Sequence, residues 1–425
     1  MIINKKMQRM NLNKFLLVSS KYNTEENFKK IDQIKGIINE LSYSLGKEVI
    51  EKIMKTHKDY EYGAKFLEFL DLHGKLGLKE INKKLNINNP RLVESWYREF
   101  PPRPIITLLN LYFEGYNKIT KRDLAYLFGW GFGDGGLSSE FGYYFVCGKK
   151  HDLLKIKEYL IEQIPKIQVV IEENDGHSLI TLNNGTKREI IGINSWILYI
   201  RDSSFCKLLY AFGLTKGRKV LQETRIPDWI MNGEKEVKKA FLNAIFEGEL
   251  QQHKVQYNVK RNKTDICPIS FGMNKVEEYR NNLIDFFNDI RKLLNEFDIK
   301  TTEIEAFKPS VIRKDNKKTY FTRFHISISA SNTIAFSKVI EFPFNQDKKN
   351  AIAEAVKEAK VKISRMNLQV EKYKKAMKLH QEGCSIYEIS KKLNIQWHTA
   401  NNWVKTKKHM PILLTQNEGV IYNEI

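Results

Sequence analysis

The stretch "YLFGWGFGDGGLS", Tyr126–Ser138, decides how this chain folds. It opens with the apolar spacing of a helix, yet it holds Gly129, Gly131 and Gly133. Glycine weakens a helix interior by about 0.5–1 kcal/mol relative to alanine, so these positions need a reason. Gly129 and Gly133 are four residues apart and share one helix face, where small residues let a second backbone come close. Gly131 lies off that stripe and is not explained by it. The segment ends on one acid, Asp134, between glycines.

A partner for this helix lies downstream in "KAFLNAIFEGELQ", Lys239–Gln251. Ala244 and Gly248 repeat the four-residue spacing, and Glu249 follows Gly248 as Asp134 follows Gly133. The acids are 249 − 134 = 115 residues apart, about one small domain. If the helices pack through Gly129, Gly133, Ala244 and Gly248, the two acids emerge side by side at the helix C-termini. The helix dipole disfavours each acid there by about 0.3–1 kcal/mol, and the two repel one another. A divalent cation, Mg²⁺ or Mn²⁺, removes both penalties. Paired carboxylates holding such an ion over a phosphodiester are what metal-assisted strand cleavage needs. Asp134 and Glu249 are therefore the expected metal-binding and catalytic residues.

The rest of the composition fits a polyanionic partner. The 425 residues carry a formal net charge of +20, spread along the chain, which favours nucleic acid. An AT-biased coding sequence rich in lysine is the competing source of that charge. Hydrophobic residues at 42% and aromatics at 12% support real cores and exclude a disordered chain. Cys147, Cys206, Cys267 and Cys384 form no C-x-x-C pair, so neither a disulfide frame nor a zinc site is expected. No run of 18 apolar residues and no signal peptide is present, and the expectation is a soluble, cytoplasmic, nucleoid-associated protein. The histidines, His151, His177, His253 and His325 among them, show no ligand spacing.

Two similar segments flank the centre. "LGLKEINKKLNI" (Leu76–Ile87) and "CSIYEISKKLNI" (Cys384–Ile395) share E-I-x-K-K-L-N-I, and each precedes a short helix bearing Trp96 or Trp403. Ile386, Ile389 and Leu393 occupy one helix face, Asn394 tolerates the left-handed backbone of a turn, and Ala400, Trp403 and Val404 close a small core. Gln396, His398, Thr399, Asn401, Asn402 and Lys405 then point outward, as a recognition helix in a major groove requires. The second segment resembles the helix-turn-helix of resolvases and transposases. The first matches less well because Pro90 opens its second helix. Lys83, Lys84, Lys391 and Lys392 are either phosphate contacts or ordinary solvated lysines.

The proline-punctuated "REFPPRPIITLL" marks a boundary, since prolines there cannot continue a helix. The expected organisation is a helical region 1–105 with its helix-turn-helix at about 62–99, and an α+β region 118–350. A basic helical linker 351–370, a C-terminal helix-turn-helix 371–410 and a tail 411–425 follow.

The two acidic motifs resemble those of the LAGLIDADG homing endonucleases. "YLFGWGFGDGGL" matches the form L-x-G-x-x-x-G-D-G, and "FLNAIFEGEL" matches a second copy with glutamate at the metal position. "LLYAFGLTKGRKVLQETRIPDWI" looks like the family segment before the second motif, and "ASNTIAFSKVIEFPFNQDKK" looks like its closing helix. The resemblance covers roughly residues 120–350. It implies an α+β fold of two αββαββα halves related by a pseudo-twofold axis, in a monomer that cuts double-stranded DNA at a specific site. The implied saddle puts Tyr143, Lys149, Gln256, Asn258 and Lys260 toward major grooves. Lys219 or Arg225 would stabilise developing charge. Starting with Met and ending in "YNEI", the chain has the look of a free-standing enzyme of intron-homing type. It departs from the pattern at Ala244 and at Leu250, which stands where glycine usually follows the acid. A degenerate fold of this kind joined to a helix-turn-helix occurs in WhiA-type transcription regulators, which do not cut DNA. An RNA-splicing maturase, or a recombinase using other acids, also stays open.

Overall fold

The computed structural model describes residues 24–98, 101–164, 166–174, 177–182, 186–191, 195–250, 255–258, 263–266, 269–313, 315–326 and 329–406, with 12, 15 and 411. It is an α+β protein. Its first part is helical: α1 (Thr24–Leu45), α2 (Lys47–Lys55), α3 (Tyr60–Leu72), α4 (Leu78–Lys84), α5 (Pro90–Arg98) and α6 (Arg103–Phe113). Pro90 is the first residue of α5, a position where proline costs nothing because that N–H has no partner anyway. Asn86 precedes it with φ of 48°, the left-handed turn that its counterpart Asn394 also adopts.

The proline boundary does not separate two bodies. Pro102 caps α6, and Ile105, Leu108, Leu109 and Leu111 on that helix are wholly buried in the same core as the following region. Asn110 Nδ2 donates to Ser204 Oγ at 3.0 Å, and Tyr116 donates its hydroxyl to Asp202 Oδ2 at 2.9 Å.

The next region runs α7 (Lys121–Phe132), β1 (Gly135–Leu137), β2 (Tyr144–Gly148), α8 (Lys150–Gln163) and β3 (Val169–Glu173). A hairpin of β4 (His177–Leu182) and β5 (Lys187–Ile191) is inserted before β6 (Trp196–Ile200) and α9 (Ser203–Ala211). A second run of helices and strands follows the short α10 (Asp228–Met231), with three strands between its first two helices where the first run has two. It comprises α11 (Lys235–Glu249), β7 (Val255–Asn258), β8 (Lys263–Ile266), β9 (Ile269–Val276), α12 (Arg280–Asn295), β10 (Glu305–Ile312), β11 (Lys318–Ile326) and α13 (Ala330–Val339). The first sheet has the order β1-β2-β6-β3, and the second β5-β4-β10-β11-β9, with β7 and β8 paired separately. The inserted hairpin thus extends the second sheet, β4 pairing antiparallel with β10 through Val311↔Leu182.

α7 and α11 lie against one another at the centre of the core. A methyl group on Gly131 would stand 2.9 Å from Leu214 Cδ1 and 3.3 Å from Tyr144 Cε2, which gives that glycine its reason. Leu250 is buried in the core, with its backbone bridged to Phe271, so the core absorbs its bulk.

The segment expected as a linker is part of one 36-residue helix, α14 (Gln346–Gln381). Its beginning packs on α13, and its end joins α15 (Ile386–Leu393) and α16 (Trp397–Asn401). Ser385 caps α15 in a box with Glu388, and Asn394 closes it with φ of 46°. Ala376, Ile386, Ile389, Ala400, Trp403 and Val404 form the small core.

Candidate functional site

Crossing of α7 over α11 is set by the glycine stripe. A methyl group on Gly129 would stand 2.5 Å from Ala244 Cβ and 2.6 Å from the Phe241 carbonyl oxygen, closer than atoms allow. Ala244 is tolerated because the residue facing it is Gly129. A methyl on Gly248 would lie 2.9 Å from Asp134 N and 3.4 Å from Asp134 Oδ2; one on Gly133 would lie 3.7 Å from Glu249 Cγ. Each acid therefore sits over the other helix's glycine. The two carboxylates share one end of the helix pair.

Their electrostatics reflect that placement. Burial, and then the charge of Asp134, push Glu249 up to about 7, against the pull of Lys219 and Lys348. Asp134 keeps an exposed edge, but protein crowding its other sides raises it above its usual range, with Lys348 and Lys219 opposing.

Two ammonium groups answer the helix ends. Lys219 Nζ donates to the carbonyls of Gly131 at 3.1 Å, Phe132 at 2.9 Å, and Gly133. Lys348 Nζ does the same for α11, donating to Phe246 at 3.1 Å, Glu247 at 2.5 Å and Gly248 at 2.8 Å. A cation on these carbonyls offsets the partial negative charge of each C-terminus. Burial lowers Lys219, and it lowers Lys348 to about 8 against the upward pull of Asp134, Glu247 and Glu249.

Buried charges hold both lysine-bearing segments. Lys275 Nζ donates to Thr224 Oγ1 at 2.9 Å, to Asn282 Oδ1 at 3.0 Å and to the Gln222 carbonyl, fixing the turn after Lys219. Glu247 accepts from Phe344 N at 2.7 Å, Asn345 N at 3.3 Å and Trp130 Nε1 at 3.2 Å, fixing the start of α14. Lys348, Glu247 and Lys275 were not singled out by sequence. The available signal was spacing: Lys219 lies 219 − 134 = 85 residues after Asp134, and Lys348 lies 348 − 249 = 99 after Glu249. Beside Asp134 opens a cavity of about 450 Å³ lined by Trp130, Asp134, Cys147, Asp152, Glu247 and Lys348.

Other expected site residues fall elsewhere. Arg225 is exposed and pairs with Asp285 at 3.2 Å and Asp289 at 3.6 Å, turned to α12 and not toward the acids. Tyr143 is exposed against Tyr199 on the first sheet. Lys149 caps α8 and binds Asp347 at 2.5 Å, beside Lys348. Gln256 and Asn258 are on β7, and Lys260 lies outside the described residues. Around α16, Gln396, His398 and Lys405 are exposed, whereas Thr399, Asn401 and Asn402 are half-buried. Among the described residues no group of three or more His, Cys, Asp or Glu could hold a metal ion, and no helix is long and apolar enough to cross a membrane.

No family model matches the chain. It is 28% identical over 239 residues to the replication factor C small subunit of Methanocaldococcus jannaschii, covering 55% of this chain and 12% of that protein. The DNA-directed RNA polymerase subunit Rpo1N of the same organism is 33% identical over 210 residues, 48% of this chain and 15% of the relative. The tRNA-splicing ligase RtcB of Methanopyrus kandleri is 28% identical over 206 residues, 46% and 20%. The chain thus spans only a minor part of these relatives. Among solved structures, the homing endonuclease I-DmoI is similar with a TM-score of 0.32 and 15% identity, over 53% of this chain and 94% of that one. I-WcaI bound to its DNA recognition sequence gives 0.31 and 12%, over 55% and 87%. Full-length DUF199/WhiA from Thermatoga maritima gives 0.25 and 13%, over 71% and 93%. I-DmoI has been solved with DNA and Mn and with DNA and Ca. Likenesses of this size carry no argument about activity.

Proposed function

We propose that the chain is a site-specific, metal-dependent double-stranded DNA endonuclease of the LAGLIDADG homing type, with its two αββαββα units related by a pseudo-twofold axis. The observation that carries this is the reciprocal seating of Asp134 over Gly248 and Glu249 over Gly133. Both carboxylates belong to one chain, so a monomer suffices. The relatives support a mobile-element enzyme, because proteins of unrelated names match it over only 12–20% of their lengths. Binding to chromosomal DNA would place it with the nucleoid.

Divalent metal fits the residues present. Burial raises both carboxyls, and the charge of Asp134 adds to the rise of Glu249, a repulsion that a cation relieves. Asp134 and Glu249 would hold Mg²⁺ or Mn²⁺, with phosphate oxygens and water completing the set. Once bound, such an ion activates water and stabilises the leaving oxygen. The chain's own groups do the rest. Glycines set the carboxylates' separation, Lys219 and Lys348 keep positive charge beside the scissile phosphates, and Lys275 and Glu247 keep those lysines in place. Tyr143, Lys149, Gln256, Asn258, Lys260 and the residues around α16 supply contacts to the duplex, and the helix-turn-helix modules add affinity by linkage.

The test is selection of bound and of cleaved sites from a random DNA library, with and without Mg²⁺. Discrete Mg²⁺-dependent cuts are expected, lost in Asp134→Asn while binding persists. Selection of bound sites without any cutting would establish the second reading, a non-cleaving WhiA-like regulator, which the C-terminal helix-turn-helix geometry favours.

A further inference from the structure

α14 starts beside the carboxylates, through Lys348, and ends in the helix-turn-helix core, through Ala376. Along its length it carries exposed Lys349, Lys357, Lys360, Lys374, Lys375 and Lys378. At 3.6 residues per turn their spacings put all six within about 100° of the helix circumference. Glu371 is the one acid on that arc between 349 and 378. Glu354 and Glu358 stand on another side, with Lys362 and Arg365. One side of the helix therefore mixes charges, and the other carries six lysines against one acid. Among the described residues the ion pairs of this helix engage Asp347, with Lys149, and Lys378, with Glu382 at 3.9 Å; Lys349, Lys357, Lys360, Lys374 and Lys375 are left without one.

Like charges at i,i+3 and i,i+4, as in Lys357–Lys360 and Lys374–Lys378, work against a helix. An external polyanion reverses that. The stripe is about 44 Å long at 1.5 Å per residue, which matches about 13 base pairs of duplex at 3.4 Å each. We propose that it lies along the phosphate backbone of double-stranded DNA between the carboxylate centre and the helix-turn-helix. α14 is then a further DNA-binding element, which positions the C-terminal reader at a set distance from the cut. This rests on the DNA reading above.

The experiment measures affinity of the full chain for a random-sequence duplex long enough to span both modules, across a salt series. The variant Lys357→Gln, Lys360→Gln, Lys374→Gln, Lys375→Gln is compared with its Lys→Arg counterpart, since glutamine and arginine are both good helix formers. Each phosphate contact contributes about 0.9 to the slope of log K against log salt, so the Gln variant is expected to lose about two to four from that slope. At moderate salt its affinity falls at least about tenfold, while the Arg variant matches the wild type. Equal slopes for wild type and Gln variant overturn the stripe and leave the DNA reading standing. An equal loss in the Arg variant also overturns it, because that loss comes from packing and not charge. If the wild type itself binds no duplex, the proposed function fails first.

Discussion

Gly129 leaves no space for a side chain, and its cost in helix propensity is outweighed by the approach it permits. Gly129→Ala is expected to destabilise the fold by about 1–3 kcal/mol through overpacking against Ala244 and Phe241. Urea unfolding measures this; a change below about 0.5 kcal/mol, the range of surface substitutions, contradicts the close crossing. Gly129, Gly133, Ala244 and Gly248 were legible in sequence because the i,i+4 face is a local property of a helix. Gly131 was not, since Leu214 and Tyr144 reach it only in the folded chain. Arg225 shows the opposite limit: a basic residue near a motif in sequence found its acids on α12.

At the scale of elements, each acidic helix ends on carbonyls held by a lysine from a distant segment. Removing one of these, in Lys348→Met, takes the ammonium donor from the carbonyls of Phe246, Glu247 and Gly248, of which Phe246 keeps the Leu250 N–H. A loss of about 1–3 kcal/mol is expected, together with loss of cutting, read by thermal unfolding and by a cleavage assay. Unchanged stability would show that the cap contributes nothing. Lys348 was hidden because its neighbour Lys349 looks the same in sequence; only the packing of α14 beside α11 tells them apart. The helix-turn-helix turn was legible by contrast, since Asn394 answers a local backbone demand. Pro90 opens the second helix of the first segment as expected, a position that proline suits.

Across the whole molecule, the N-terminal helices are joined to the α+β region by a half-buried polar contact. His57 Nε2 lies 3.0 Å from Thr107 Oγ1 and 3.0 Å from Lys207 Nζ. Burial, then the Lys207 charge, lower its pKa from 6.5 to about 4. A depressed group contributes stability that is present above its unfolded pKa and lost as pH falls through its folded one. Stability should therefore decline as pH falls from 6.5 toward 4, and His57→Gln should flatten part of that decline in urea midpoints; an unaltered pH profile contradicts the contact. Neither this joint nor the β4–β10 pairing was legible, since both link residues far apart in the chain. The most direct measurement of the shared centre is cleavage, in Mg²⁺, of a plasmid carrying a selected site, by Asp134→Asn, Glu249→Gln and the double variant. Each single change should abolish double-strand cutting with DNA binding retained, and the double variant should be no worse than either. Wild-type cutting by either single variant, or losses that multiply as they would at independent sites, would contradict a centre built from both carboxylates.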